Sequence, residues 1–235
     1  MRLRPLLAFD FDGTLAPIVD RPDEAVVPES LAHCLAELAR SLPIAIITGR
    51  SVADVRTRLR FEPHVVIGNH GIEDAHAPED GAAERALDGL RARIAGERET
   101  LAQAGVEVED KRYSMALHYR LAPHAGAALA AIEALLQGTE PGLRRFGGKC
   151  VVNVVAADLP DKGDALAALV ERTGAAAAVF VGDDVNDEAV FARAAPHWLT
   201  IRIGDDPGSA AMFVLDNEGE LVPVLRRMLA LTAGA

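Results

Sequence analysis

The chain has 235 residues, half of them hydrophobic, a quarter charged and only 4% aromatic, which suits a globular protein with one good core or two modest ones. A formal charge of -11 argues against nucleic acid or an anionic membrane as the main partner, though not against a small anion met by a local cluster of cations. No apolar run approaches the roughly 20 residues of a bilayer span, and no signal-type apolar stretch precedes Asp10. The expectation is a cytoplasmic protein, monomeric or weakly dimeric. Cys34 and Cys150 lie far apart without metal-type spacing and are expected to be buried free thiols. Of 24 basic residues only Lys111, Lys149 and Lys162 are lysine, so each hints at a site wanting a compact point charge.

Leu6 to Phe9 predicts a strand covered on both faces, and it breaks abruptly into Asp10-Phe11-Asp12-Gly13-Thr14. In an extended chain Asp10 and Asp12 project to one side, so this is either an acidic turn or a cation site. Residues 16–28, acidic and bearing prolines without a clear period, predict a loop or flap over the strand ends. A helix is expected from Glu29 through Leu31, Leu35 and Leu38, closed by Pro43. Ile44 to Ile47 predicts a second strand ending in Thr48-Gly49-Arg50, and Ser51 with Asp54 resembles a capping box for the next helix. Val65 to Ile67 predicts a third strand, ending in Gly68-Asn69-His70-Gly71-Ile72-Glu73. Repeated strand-helix units mean a parallel sheet, whose ligands bind at the carboxyl ends of the strands.

The pattern then changes. One long charged helix is expected over 81–105, then strands over 106–109 and 113–120, a helix over 123–137, and strands over 143–146 and 150–155. This order predicts a small α+β module, placed at 76–158 and inserted into a parallel domain formed by 1–75 and 159–235. Lys111, Arg112, His118, Arg120, Arg144, Arg145 and Lys149 gather there. They form either a surface for an anionic, hydroxyl-rich ligand or a solvated charged face. After Pro160 the parallel pattern resumes: Lys162-Gly163 opens a helix ending near Gly174, and a strand over 178–181 runs into Gly182-Asp183-Asp184-Val185-Asn186-Asp187-Glu188. A helix to about 195, strands over 198–203 and 213–215 and a final helix complete the chain.

Carboxylates from two strand ends make a hard oxygen site suited to Mg2+. One of them could attack phosphorus, with a lysine, the Thr48 hydroxyl and backbone N–H groups neutralising the phosphate. Asp10-x-Asp12-Gly13-Thr14, Thr48, Lys162 and Gly182-Asp183-Asp184-x-x-Asp187 together resemble the four ordered motifs of the haloacid dehalogenase (HAD) superfamily of phosphatases. The resemblance implies an α/β fold, a Rossmann-like parallel-sheet core with an inserted α+β cap. It also implies that Asp10 is the nucleophile and Asp12 the acid and base, and that Thr48 and Lys162 hold the phosphate. Asp10, the Asp12 carbonyl and Asp183 are implied as Mg2+ ligands, with Asp184 a further candidate and Asp187 close behind them.

Only 36 positions separate Asp12 from Thr48, and the large insertion lies between Thr48 and Lys162. That placement resembles the type-IIB cap subclass. Within it the motifs, with Gly68-Asn69-His70-Gly71-Ile72-Glu73 and His118-Tyr119-Arg120, are similar to the trehalose-6-phosphate phosphatases. The implied substrate is a sugar phosphate, bound by Gly49, Arg50, Asn69, His70, Gly71 and Glu73 from the core and Lys111, His118, Arg120 and Lys149 from the cap. Where that family reads Glu-x-Arg-Pro after its Gly-Lys, this chain reads Asn153-Val154-Val155-Ala156. Asn153 keeps hydrogen-bonding capacity but not the charge, so a related glycosyl phosphate stays open as substrate. Outside the hydrolases, a phospho-acceptor or ligand-binding module without turnover is the alternative.

Overall fold

The computed structural model describes residues 4–19, 21–75, 81–139 and 142–233. The chain forms two compact units, Met1–Ala75 with Pro160–Ala235, and His76–Leu159. The expected start of the insertion at 76 lies outside the described residues.

The first unit opens with β1 (Leu6–Phe9), α1 (Glu29–Ala39), β2 (Ile44–Ile47), α2 (Val52–Arg56), β3 (Val65–Gly68) and β4 (Glu73–Asp74). In the second unit follow α3 (Gly81–Arg85), α4 (Asp88–Gly96), α5 (Arg98–Gln103), β5 (Glu107–Asp110), β6 (Met115–His118), α6 (Ala125–Leu136), β7 (Leu143–Gly148) and β8 (Val151–Ala156). The first unit resumes with α7 (Lys162–Thr173), β9 (Ala178–Gly182), α8 (Glu188–Phe191), β10 (Trp198–Ile203), β11 (Phe213–Leu215) and α9 (Leu221–Ala233).

Seven strands of the first unit form one sheet in the order β11-β10-β9-β1-β2-β3-β4, parallel except where β4 turns back on β3. Because side chains alternate along a strand, Leu7 and Phe9 of β1 join a core on one face with Leu35, Leu38 and Leu225. Leu6 and Ala8 join the opposite core with Leu166, Leu169 and Phe191. Each leucine so buried contributes roughly 1.5–3 kcal/mol of transfer free energy. The direction of winding reverses at β1, which lies between β2 and β9; a doubly wound sheet opens its ligand crevice at such a point. The second unit has an antiparallel sheet, β5-β6-β8-β7, whose Met115, Leu117 and Val154 pack with Leu90, Leu101, Ile132 and Leu135 from the helices.

Several expectations change. The helix expected over 81–105 is three helices: the first break falls at Leu87, which keeps right-handed backbone angles, and the second at Glu97, which leaves helical geometry just after Gly96, a weak helix former. The stretch keeps one apolar stripe through Leu87, Leu90 and Leu101. The expected flap over 16–28 is partly core, since Ala16, Ala25 and Val27 are buried against α1. The helix after Asp187 ends at Phe191, well short of residue 195, its last turn tightening before Pro196. Cys34 is buried but Cys150 is exposed, because it sits with φ 62° in the tight turn between β7 and β8. Among the described residues no helix is long and apolar enough to cross a membrane.

Candidate active site

The site is built where β1, β2, β3 and β9 end. The Asp10 N–H donates to the Val181 carbonyl at 2.9 Å, so Asp10 leaves the sheet beside the last residues of β9. The chain then turns tightly, with Leu15 and Ala16 N–H both donating to the Phe11 carbonyl. Gly13 makes that turn at φ 76°, and a Cβ there would lie 2.0 Å from Asp183 Oδ2; only glycine lets the two acidic loops approach so closely. Thr14 Oγ1 reaches Asp183 Oδ1 at 3.5 Å.

After β9 the backbone folds around Asp187. Its Oδ2 accepts the N–H groups of Asp183 and Asp184 at 2.9 and 3.0 Å, and its Oδ1 accepts Lys162 Nζ at 2.8 Å. Asp184 spends its carboxylate locally, accepting Val185 N–H at 2.8 Å as the cap of the following turn. Lys162 is the first residue of α7, placed there by a capping box in which Asp161 accepts the N–H of Gly163 and Asp164. Its ammonium, 2% exposed, stands 2.9 Å from Asp10 Oδ1.

Asp10, Asp183 and Asp187 are all buried and each offers an oxygen within 4.8 Å of the others. Among the described residues this is the group that could hold a metal ion. Burial first, then the nearby Asp187 and Asp183 charges, push the Asp10 carboxyl well above its ordinary range despite the opposing pull of Lys162. Burial pulls the Lys162 ammonium down, but Asp10 and Asp187 outweigh it and hold the proton more firmly than in water. With all three carboxylates ionised, one ammonium would leave a formal excess of two negative charges in this buried cluster. An all-oxygen donor set with that excess fits a hard divalent cation.

The β2 end forms the second wall. Thr48, fully buried, accepts the Arg50 N–H on its hydroxyl at 3.2 Å and the His70 N–H on its carbonyl at 2.9 Å. Asn69 N–H donates to the Arg50 carbonyl at 2.8 Å. Glu73 Oε2 ties the two loops, accepting Val52 N–H at 2.9 Å and Asn69 Nδ2 at 2.8 Å. Asn69 and His70 both take positive φ, and the His70 ring stands where a Gly49 side chain would be. Gly71, at φ 112°, leaves room for the Asp161 carbonyl. The Asp12 carboxylate does not join the acidic trio: Arg50 grips it by both oxygens, Nε to Oδ2 at 2.8 Å and Nη2 to Oδ1 at 2.7 Å.

In the second unit Glu109 Oε2 collects His118 Nε2 at 3.0 Å and Lys111 Nζ at 3.5 Å. Burial raises the Glu109 carboxyl, yet the His118 hydrogen bond and the Lys111 charge bring it below its ordinary range. Arg120 Nη2 donates to the Lys149 carbonyl at 3.0 Å, and the Lys149 side chain is exposed. Asn153 is buried on β8, in register with Ala116 and Phe146. Thus Asp10, Asp183, Asp187 and Lys162 form one cluster, Thr48, Gly49, Arg50, Asn69, His70, Gly71 and Glu73 a second around the β2 and β3 ends, and Lys111 and His118 share Glu109. The sequence reading took Asp54 only as a helix cap and missed that it pairs with Arg50 on one side and Arg58 on the other; the spacing of Arg50, Asp54 and Arg58, i, i+4 and i+8 in alternating charge, was the available signal.

A profile of the trehalose-phosphatase family matches residues 8–222. Trehalose-phosphate phosphatase of Mycobacterium ulcerans is 32% identical over 239 residues, 96% of this chain and 61% of that protein. An uncharacterized glycosyl hydrolase of Mycobacterium tuberculosis H37Rv is 37% identical over 202 residues, 80% of this chain but 15% of that protein. The chain therefore spans less than two thirds of the length of these relatives. Among solved structures, the C-terminal domain of Candida albicans trehalose-6-phosphate phosphatase superposes with a TM-score of 0.81 at 20% identity, covering 97% of this chain and 93% of that one. A trehalose-6-phosphate phosphatase related protein gives 0.77 at 23%, covering 97% and 99%. These two share the HAD-like fold. With the ordered motifs converging as described and the profile running through nearly the whole sequence, this chain belongs to the trehalose-phosphatase family.

Proposed function

We propose that this chain is a Mg2+-dependent phosphatase that hydrolyses trehalose 6-phosphate to trehalose and inorganic phosphate through an aspartyl-phosphate. The observation that carries the reading is the buried trio Asp10, Asp183 and Asp187 with the Lys162 ammonium 2.9 Å from Asp10. Such a cluster suits positioning and neutralising a phosphoryl group, which is most of what phosphoryl transfer demands. The names of the curated relatives support the sugar.

Asp10, Asp183 and the Asp12 carbonyl would hold Mg2+, which when bound offsets the excess carboxylate charge and draws in the phosphate oxygens. Asp187 already accepts three hydrogen bonds, so its task is to fix Asp183 and Lys162. Lys162, Thr48 and the N–H groups of the Asp10 loop grip the phosphate. An Asp10 carboxylate oxygen bonds to phosphorus while the bond from phosphorus to the sugar oxygen breaks, and the leaving oxygen takes a proton from the Asp12 carboxyl. A water oxygen then bonds to phosphorus, Asp12 takes its proton, and the aspartyl oxygen leaves, restoring Asp10 and releasing phosphate. The inserted residues 76–158 act as the cap, and Lys111, His118, Arg120, Lys149 and Asn153 recognise sugar hydroxyls.

The test is phosphate release from trehalose 6-phosphate, sucrose 6-phosphate and glucose 6-phosphate, each with and without EDTA. Trehalose 6-phosphate is expected to rank first and every activity to vanish with EDTA; a different leading sugar would change the substrate, and EDTA-resistant turnover would remove the metal. Asp10→Asn is expected to abolish phosphate release with unchanged circular dichroism. Retained turnover in that variant sinks the nucleophile.

A further inference from the structure

Arg50 is nine-tenths buried, yet its guanidinium is spent on carboxylates of its own chain. Nε and Nη2 hold Asp12 in a fork while Nη1 donates to Asp54 Oδ2 at 2.7 Å. The plane lies over the Phe11 ring, 5.2 Å from its centroid, a contact that further limits its rotation. Its main chain is fixed as well, with the N–H on the Thr48 hydroxyl and the carbonyl under Asn69. Asp54 is itself held from the other side by Arg58, Nη2 to Oδ1 at 2.5 Å, and Arg58 Nη1 donates to the Asp23 carbonyl at 2.6 Å. Hydrogen bonds from Arg58 and Arg50 overcome burial and keep the Asp54 carboxyl below its ordinary range.

We propose that Arg50 is the positioning residue for the Asp12 side chain and that Asp54, anchored by Arg58 and the Asp23 carbonyl, positions Arg50. A carboxylate has about four lone-pair sites, and a guanidinium fork occupies one on each oxygen. The fork therefore fixes the plane of Asp12 and leaves one lone pair per oxygen to carry a proton towards a leaving group. Lysine offers a point charge without the fork, so Arg50→Lys keeps the attraction and loses the orientation. The inference rests on the reading of Asp12 as the acid.

Proton delivery matters for a poor leaving group such as a sugar hydroxyl and little for p-nitrophenol. The experiment compares kcat/KM for trehalose 6-phosphate and p-nitrophenyl phosphate in wild type, Arg50→Lys and Asp54→Asn, with the melting temperature of each. For Arg50→Lys, kcat/KM on trehalose 6-phosphate is expected to fall about 10- to 100-fold more than on p-nitrophenyl phosphate, the size of effect a small misplacement of a reacting group produces. Asp54→Asn, nearly isosteric, is expected to show the same selective loss in smaller measure. Equal losses on both substrates, or no loss in either variant, overturn the assignment while leaving the phosphatase reading intact. A wild type that releases no phosphate from either substrate overturns the phosphatase reading, and this assignment with it.

Discussion

At Lys162 the balance between burial and pairing decides both stability and chemistry. The ammonium is almost wholly enclosed between Asp10 and Asp187, and taking it away leaves the buried carboxylates facing each other. Breaking a buried ion pair from one side costs about 3–5 kcal/mol, so Lys162→Met is expected to lower stability by that order in EDTA, read from urea unfolding. Millimolar Mg2+ should recover part of the loss, since a cation among the carboxylates replaces some of the missing charge. No recovery would mean that Asp10 and Asp183 do not hold the ion. The residue types at this site were legible in the sequence because each stands where an apolar strand stops, and the scarcity of lysine made Lys162 conspicuous. Pairing was not legible. Whether Arg50 meets a ligand or Asp12 depends on loop geometry, and Asp184 and Asp187, three positions apart, took opposite roles through hydrogen bonds that no spacing rule distinguishes.

Among the elements, α7 does most to place the site, because its first residue is Lys162. The Asp161 capping box and its ion pair with Arg193 fix where that helix begins. Replacing an N-cap aspartate by alanine costs about 1 kcal/mol, and Asp161→Ala is expected to show that loss at pH 7 in urea unfolding. Burial alone would raise the Asp161 carboxyl, but the Asp164 N–H, Arg193 and the Gly163 N–H bring it below the ordinary value of 3.8. A folded-state value below the unfolded one means the contribution is fully present above about pH 4 and lost as pH falls through the folded value. The gap between wild type and variant should therefore be constant from pH 5 to 7 and narrow below pH 4; a gap that widens in acid would contradict the sign. The order of strands and helices was readable from apolar runs and punctuating Gly and Pro residues. The element missed, β4, is two acidic residues long and exists only because Glu73 and Asp74 pair back onto β3, a tertiary effect invisible to periodicity. The division of residues 81–103 into three helices was also hidden, since one apolar stripe runs from Leu87 through Leu90 to Leu101 across the later break.

For the molecule as a whole, the decisive fact is that every residue of the acidic trio belongs to the first unit, while the second has a hydrophobic core of its own. Separate cores in the two units allow openings that involve one unit and not the other. A ligand that binds only the folded state stabilises what it binds by about 2.7 kcal/mol at a concentration one hundred times its dissociation constant. Mg2+ at that excess is therefore expected to slow amide hydrogen exchange along β1, β9 and α7 by about 100-fold, the ratio to which that free energy corresponds. Exchange along β6 and β8 should stay within about 2-fold, because none of their residues enters the trio. Equal protection in both units would mean that they open together, and protection confined to β6 and β8 would place the ion elsewhere. Running the same measurement on Asp183→Asn separates these outcomes: loss of one buried carboxylate should abolish the Mg2+ effect on β1 and β9 while the sheet itself persists.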